Sequence, residues 1–166
     1  AKNTFGEYEP KSELQIKANC TTPRNHQDSS EYSRGKICFG AYSKRLIKQI
    51  IDNYDQLFHN LSPDYTSMIL ALSTSDTAFE LETPGLIQIN AATSTGGNNV
   101  FDQNAFRYYS KFKDSIYIHS NMLVPHLYSS QHNGVCYDYL KLKRKFSLEY
   151  EVDIIKWLVQ MNQDIN

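Results

Sequence analysis

Between Ser43 and His59 apolar side chains recur at Leu46, Ile47, Ile50, Ile51, Tyr54, Leu57 and Phe58, a spacing that lays one stripe along a helix. A chain carrying such a stripe must bury it against something. Ser43 offers a side-chain oxygen to the first unpaired amides, while Asn60, Ser62 and Pro63 predict the stop. The expectation is a helix of about four turns.

The rest of the sequence supplies the surface for that helix. Tyr65 to Thr74 sets Met68, Leu70 and Leu72 against Thr66 and Ser73, an alternation that predicts a strand, with Thr77 to Thr83 extending it or turning it into a hairpin. After the Pro84-Gly85 turn, Leu86 to Thr93 puts Ile87, Ile89 and Ala91 on one face of a second strand. Ser94 to Asn99 predicts a loop. Asp102 then caps a second helix, ending near Lys113, in which Phe101, Ala105, Phe106, Tyr109 and Phe112 share a face. From Ser115 to Gly134 the pattern weakens to a short strand at Ile116 and Ile118 and to loops at Pro125 and Asn133-Gly134. Val135 to Lys141 and Phe146 to Val152 predict two more strands, the second alternating Phe146, Leu148, Tyr150 and Val152 with Ser147, Glu149 and Glu151. Asp153 caps a terminal helix that turns Ile154, Ile155, Trp157, Leu158 and Met161 inward.

This order predicts an α+β fold: a single two-layer domain over residues 41–166, with a small antiparallel sheet packed against two or three helices. Residues 1–40 hold Pro10, Pro23, three glycines and many small polar side chains, and predict an irregular N-terminal extension. A length of 166 residues with 40% apolar content suits one domain with an appendage. The 17 Lys and Arg against 18 Asp and Glu leave a net charge of -1, without the positive field that nucleic acid attracts, so nucleic acid is not an expected partner. Nothing approaches the ~20 consecutive apolar residues of a membrane span. No charged-then-apolar leader follows Ala1, so the expectation is that any signal or anchor segment was removed or left out of this sequence.

Cys20 and Cys38 flank Thr21 to Ile37, a stretch crowded with Thr, Pro, Asn, Ser and Gly. Two readings stay open. A disulfide would close that loop, removing freedom worth about 3 kcal/mol from the unfolded chain and suiting a periplasmic or secreted protein. Alternatively, Cys20, Cys38 and Cys136 are three separate thiols.

Cys136 lies near His126 and His132 in sequence, with Asp138 two residues on, so the ingredients of a cysteine nucleophile and its base are present. A small buried thiol explains the same residue better. The five histidines include no pair at the spacing of a helix-borne zinc site, so no metal is expected. Ser94 to Asn99 lacks the Walker lysine and any dinucleotide glycine spacing, so no cofactor is expected either. The four positive charges within Leu140 to Phe146 read as a solvated strand face rather than an anion-binding patch. Phe106, Tyr108, Tyr109 and Phe112 read as core packing rather than a ligand groove.

The segment Tyr42-Ser-Lys-Arg-Leu-Ile-Lys-Gln-Ile-Ile-Asp-Asn-Tyr54, the strand through Gly85 to Thr93, the polar turn of Ser94 to Phe106 with its Asp-started helix, Leu123-Val-Pro125 and Phe146-Ser-Leu-Glu-Tyr150 together resemble the C-terminal periplasmic domain of the TonB and TolA energy-transducer family over residues 42–152. The extension before the match, the long segment from Ser75 to Thr83, the helical tail and the cysteine positions depart from that pattern. The resemblance implies a periplasmic or secreted binding domain with a protein partner in the cell envelope, captured by strand addition at a sheet edge. The edge it implies is Lys145, Phe146, Ser147, Leu148, Glu149 and Tyr150. Two alternatives stand beside it: a secreted effector or toxin enzyme using Cys136 with His126 or His132, and a surface or pilus-like structural subunit. The oligomeric state is left open.

Overall fold

The computed structural model describes residues 5–20, 33–59, 61–81, 106–107, 109–111 and 113–165. Among these residues the chain forms a two-stranded antiparallel sheet, six α-helices and one 3-10 turn, the mixed α and β architecture expected from the sequence. The strand expected at Leu86 to Thr93 and the loop at Ser94 to Asn99 lie outside the described residues, as does the start of the helix expected from Asp102. By contact the chain divides into two compact units, Ala1–Ile87 with Asp138–Asp153 and Gln88–Tyr137 with Ile154–Asn166.

In the first unit, strand β1 (Phe5–Tyr8) pairs with β2 (Ala78–Leu81), Gly6 facing Glu80 and Tyr8 facing Ala78. Helix α1 (Pro10–Ala18) follows β1 directly, so the described part of the stretch read as an irregular extension holds a strand and a helix. Its start has a physical cause: the Glu9 carboxylate accepts the amides of Lys11 (3.1 Å) and Ser12 (2.5 Å), and Pro10 has no amide to satisfy. Its inward face is charged. Glu13 and Lys17 are both buried and paired at 3.2 Å, and Arg34 bridges Glu13 (3.3 Å) to Glu80 of β2 (2.8 Å). Gly35 next to it has φ 78, and a Cβ there would meet the Leu72 side chain at 3.0 Å, so only glycine lets Arg34 and Lys36 take their places.

Helix α2 (Lys44–Tyr54) is the striped segment, and the Ser43 side chain accepts the Leu46 amide at 3.1 Å as expected. It ends at Asp55, earlier than expected, where the backbone turns to φ 69. Of the stripe, Ile50 is fully buried and Ile51 is exposed, so α2 lies on the surface and packs a narrow face onto α3 (Pro63–Thr74).

Helix α3 replaces the strand expected over Tyr65 to Thr74. Thr66 through Leu72 are all buried, and a segment buried on every side shows no period that separates helix from strand. Pro63 in the first turn and Asp64 beside it are the start signals that decide for a helix. The hydroxyls of Ser73 and Thr74 donate to the carbonyls of Ile69 and Leu70, each at 2.8 Å, so these polar side chains sit satisfied inside it.

In the second unit, α4 (Ser115–Ser120) stands where a short strand was expected, with Ile118 buried and Ile116 exposed. Helix α5 (Gln131–Phe146), within which the division between units falls, replaces the strand expected at Val135 to Lys141. Val135, Tyr139 and Leu142 are its buried stripe at helical spacing, and Lys143, Arg144 and Lys145 favour the negative end of its dipole. Asn133, read as a turn residue, is fully buried in the first turn of α5, where its amide donates to the carbonyls of Val124 (2.8 Å) and Leu127 (3.1 Å) and its oxygen accepts the Val124 amide (3.2 Å). The final helix, α6 (Ile154–Asp164), buries Trp157 and Met161 as expected, whereas Ile155 and Leu158, expected inward, are 74% and 41% exposed.

The strand expected at Phe146 to Val152 is absent. Phe146 is the last residue of α5, Ser147 takes φ 54, and the Leu148 amide reaches back to the Lys143 carbonyl at 3.2 Å. This is a Schellman ending, which uses the local backbone for capping and leaves no strand to form.

Candidate functional site

Three helices and the turn after α5 converge in the first unit on a groove of about 220 Å³. Lys11 and Leu14 come from α1, Tyr54 from α2, Ser73 from α3, and Phe146, Ser147, Leu148 and Glu149 from the end of α5 and its cap. Leu14 and Leu148 are its buried apolar members, Tyr54 and Phe146 are half-buried, and Lys11, Ser147 and Glu149 are exposed. Helix α1 is tied to the turn by a reciprocal pair: the Gln15 side-chain amide donates to the Glu151 carbonyl at 3.0 Å, and the Glu151 amide donates to Gln15 Oε1 at 2.9 Å.

The aromatic members are held from behind. Phe146 packs edge to face against Tyr54 (4.9 Å) and His59 (5.7 Å), and the Lys145 ammonium sits 4.6 Å from the Phe146 ring centre. His59 Nδ1 lies 3.0 Å from the Gln56 amide, and its Nε2 has no hydrogen-bond partner among the described residues. Burial first, and then the charges of Lys145 and Lys141, lower its proton affinity, so the ring is neutral at physiological pH. Tyr150 is buried, with its hydroxyl donating to the Tyr139 carbonyl at 2.6 Å and burial raising its pKa.

Of the residues expected to form a sheet edge, Phe146, Ser147, Leu148 and Glu149 therefore line the groove, Lys145 flanks it and Tyr150 lies buried. In the structure they form a helix end and its cap rather than a strand. The amides of Leu148, Tyr150 and Glu151 already donate to the Lys143 carbonyl, the Leu148 carbonyl and the Gln15 side chain. The Lys143 ammonium takes the Tyr150 carbonyl as well.

Of the thiol constellation, His132 and Cys136 stand one turn apart on α5, and His126 lies in the loop before it. Cys136 is fully buried in α5. His132, one turn earlier, donates from Nδ1 to the Asp164 carboxylate at 2.8 and 3.0 Å, and the Ser130 hydroxyl donates to the same carboxylate at 2.7 Å. These bonds hold the Asp164 pKa below its ordinary value despite the burial that raises it. His126 lies in the loop before α5 with Nδ1 3.1 Å from the Tyr128 hydroxyl. The bridge expected between Cys20 and Cys38 is corrected too: no disulfide joins them. Cys20, at the end of α1, lies near Tyr139, whereas Cys38, in the 3-10 turn Ile37–Phe39, lies near Asp64 and Lys36. A composition that makes a loop does not require its ends to meet.

Among the described residues no group of three or more His, Cys, Asp or Glu could hold a metal ion, and no helix is long and apolar enough to cross a membrane. The sequence reading missed Lys11, Leu14 and Tyr54 as groove residues, and Asp164 as the partner of His132. Glu9-Pro10, a cap followed by a first-turn proline, was the available signal for α1. In comparisons with protein-family models, with well-described proteins and with solved structures, nothing matches the chain, so the functional reading rests on this groove and on the sequence resemblance.

Proposed function

We propose that the chain is a protein-binding domain whose groove takes one or two side chains from a partner's segment. The observation that carries this reading is the convergence of half-buried Tyr54 and Phe146 on buried Leu14 and Leu148, with Lys11 and Glu149 at the rim. Half-buried aromatic rings inside a polar and charged margin are one way that protein contacts concentrate their binding energy. The volume of about 220 Å³ falls short of the roughly 300–1,000 Å³ of enclosed small-molecule sites, which favours side chains presented by a larger partner. The periplasmic or secreted setting, the envelope partner and the kinship with TonB and TolA end domains enter the proposal from the resemblance over residues 42–152. Strand addition, the mode that resemblance implies, is replaced in this reading by side-chain docking at Lys145–Tyr150, where the Leu148 and Tyr150 amides already have acceptors.

Panning a random peptide library on the immobilised chain, followed by amide-shift mapping with the best binder, tests the reading. Shifts at Lys11, Leu14, Tyr54 and Phe146 to Glu149 are the expected result. Shifts centred on Ala78–Leu81 would move the contact to the sheet edge, and shifts confined to the second unit would refute the groove.

A further inference from the structure

His119 closes the last turn of α4 and is 2% exposed, yet neither ring nitrogen has a hydrogen-bond partner among the described residues. Aromatic rings surround it instead. Tyr109 packs against it at 4.6 Å and Tyr128 at 4.3 Å, and Tyr128 is itself braced by Phe106 at 5.3 Å. The following loop folds back over the ring: the His126 amide donates to the His119 carbonyl at 3.2 Å, and His126 Nδ1 lies 3.1 Å from the Tyr128 hydroxyl. A neutral imidazole fits this setting as a flat aromatic disc. A charged one finds no acceptor for either N–H.

The titratable groups that face His119 are Tyr109 from the segment before α4 and His126 and Tyr128 from the loop after it. On its own helix Tyr117 is exposed and Asp114 precedes the opposite end. Among the described residues no carboxylate faces the ring to compensate a proton on it, and the neighbouring His126 disfavours one.

We propose that His119 is a proton-triggered latch: taking up a proton drives its ring out from between Tyr109 and Tyr128 and releases the loop 121–130 from α4. Burial first, and the neighbouring His126 second, bring the pKa of the closed ring down to about 4. The released ring returns to the ordinary value of about 6.5. Between those limits the open form holds up to one proton more than the closed form, so acid favours opening and the opening constant rises by up to about tenfold for each pH unit lost. A Gln or Phe at this position removes the trigger, and Phe keeps the disc.

Hydrogen exchange of the full chain, corrected for intrinsic rates, tests the latch between pH 6.5 and 4.5. In the wild type, amides of residues 118–130 are expected to open about fortyfold more often at the lower pH. In His119→Phe that dependence disappears, whereas in His126→Gln it persists. Protection of residues 118–130 that stays constant with pH in the wild type, or that falls equally in His119→Phe, would overturn the proposal. Should His119→Phe fail to fold, the carbon-bound ring protons of wild-type His119 give the answer by NMR. A ring that titrates near 6.5 while the loop stays protected contradicts the latch, and a ring that titrates only as protection is lost supports it.

Discussion

Each unit buries polar side chains in two ways, some in satisfied sets and some as a ring with a nitrogen left without a hydrogen-bond partner among the described residues, His59 in the first unit and His119 in the second. In the first, the buried Glu13 and Lys17 face each other on one helix, Arg34 completes the set with Glu80, and the buried Asp138 carboxylate accepts the Ser62 amide at 3.1 Å at the start of α3. In the second, Asn133 is as well satisfied as any buried amide, but His119, at similar burial, sits among rings with no partner for either nitrogen. Equal burial thus has opposite consequences. Removing one member of a paired set strands its partner, whereas removing the lone ring's capacity to take a proton strands nothing.

The contrast makes graded predictions. Glu13→Ala removes the carboxylate that faces the buried Lys17 ammonium, while Arg34 keeps Glu80, and a loss of about 3 kcal/mol in denaturant-determined stability is expected; a loss under 1 kcal/mol would show that the pairing is incidental. Asn133→Ala orphans the Val124 amide and removes a donor from the Val124 and Leu127 carbonyls, with a loss of about 1–3 kcal/mol expected in the second unit. Exchange protection of residues 122–130 reads that loss directly.

Asp138→Asn changes a slope. Burial raises the Asp138 pKa well above its ordinary value, against the pull of the Ser62 hydrogen bonds. The folded chain therefore holds a proton that the unfolded chain has released above about pH 3.8, and Asp138 makes stability fall as pH rises across that window. The asparagine variant should lose this decline, so its stability relative to wild type grows with pH; a gap that stays constant would mean that the carboxylate is ionised in place. The smallest effect belongs to the cap of α5. Ser147 holds φ 54, a conformation that glycine adopts without a Cβ clash, and Ser147→Gly is expected to add about 1 kcal/mol. A lowered melting temperature would point to a role for the Ser147 side chain.

How much of this was legible in the sequence depended on exposure. Helix α2 lies on the surface, so its stripe and its Ser43 cap read clearly. Helix α3 is buried all round, and its run of Met68 to Leu72 carries no contrast between faces from which a period could be read. Helix α1 hid for the opposite reason: its inward side includes Glu13 and Lys17, and a buried ion pair looks in sequence like a solvated surface. At Phe146 to Val152 the alternation correctly marked Leu148 and Tyr150 as buried but not the backbone that buries them, since a left-handed serine cap leaves no distinctive residue such as glycine. The groove depends on Leu14 and Tyr54 meeting Leu148, and such distant encounters leave no local pattern.

The most direct test of the proposed function compares the two units by binding. With a peptide selected on the wild-type chain, fluorescence anisotropy should show Phe146→Ala and Lys11→Glu each raising Kd tenfold or more, equivalent to about 1.4 kcal/mol, while His119→Phe leaves Kd unchanged at pH 7. Circular dichroism establishes that each variant is folded. A peptide whose affinity survives both groove substitutions and falls with His119→Phe would contradict the account and place binding in the second unit.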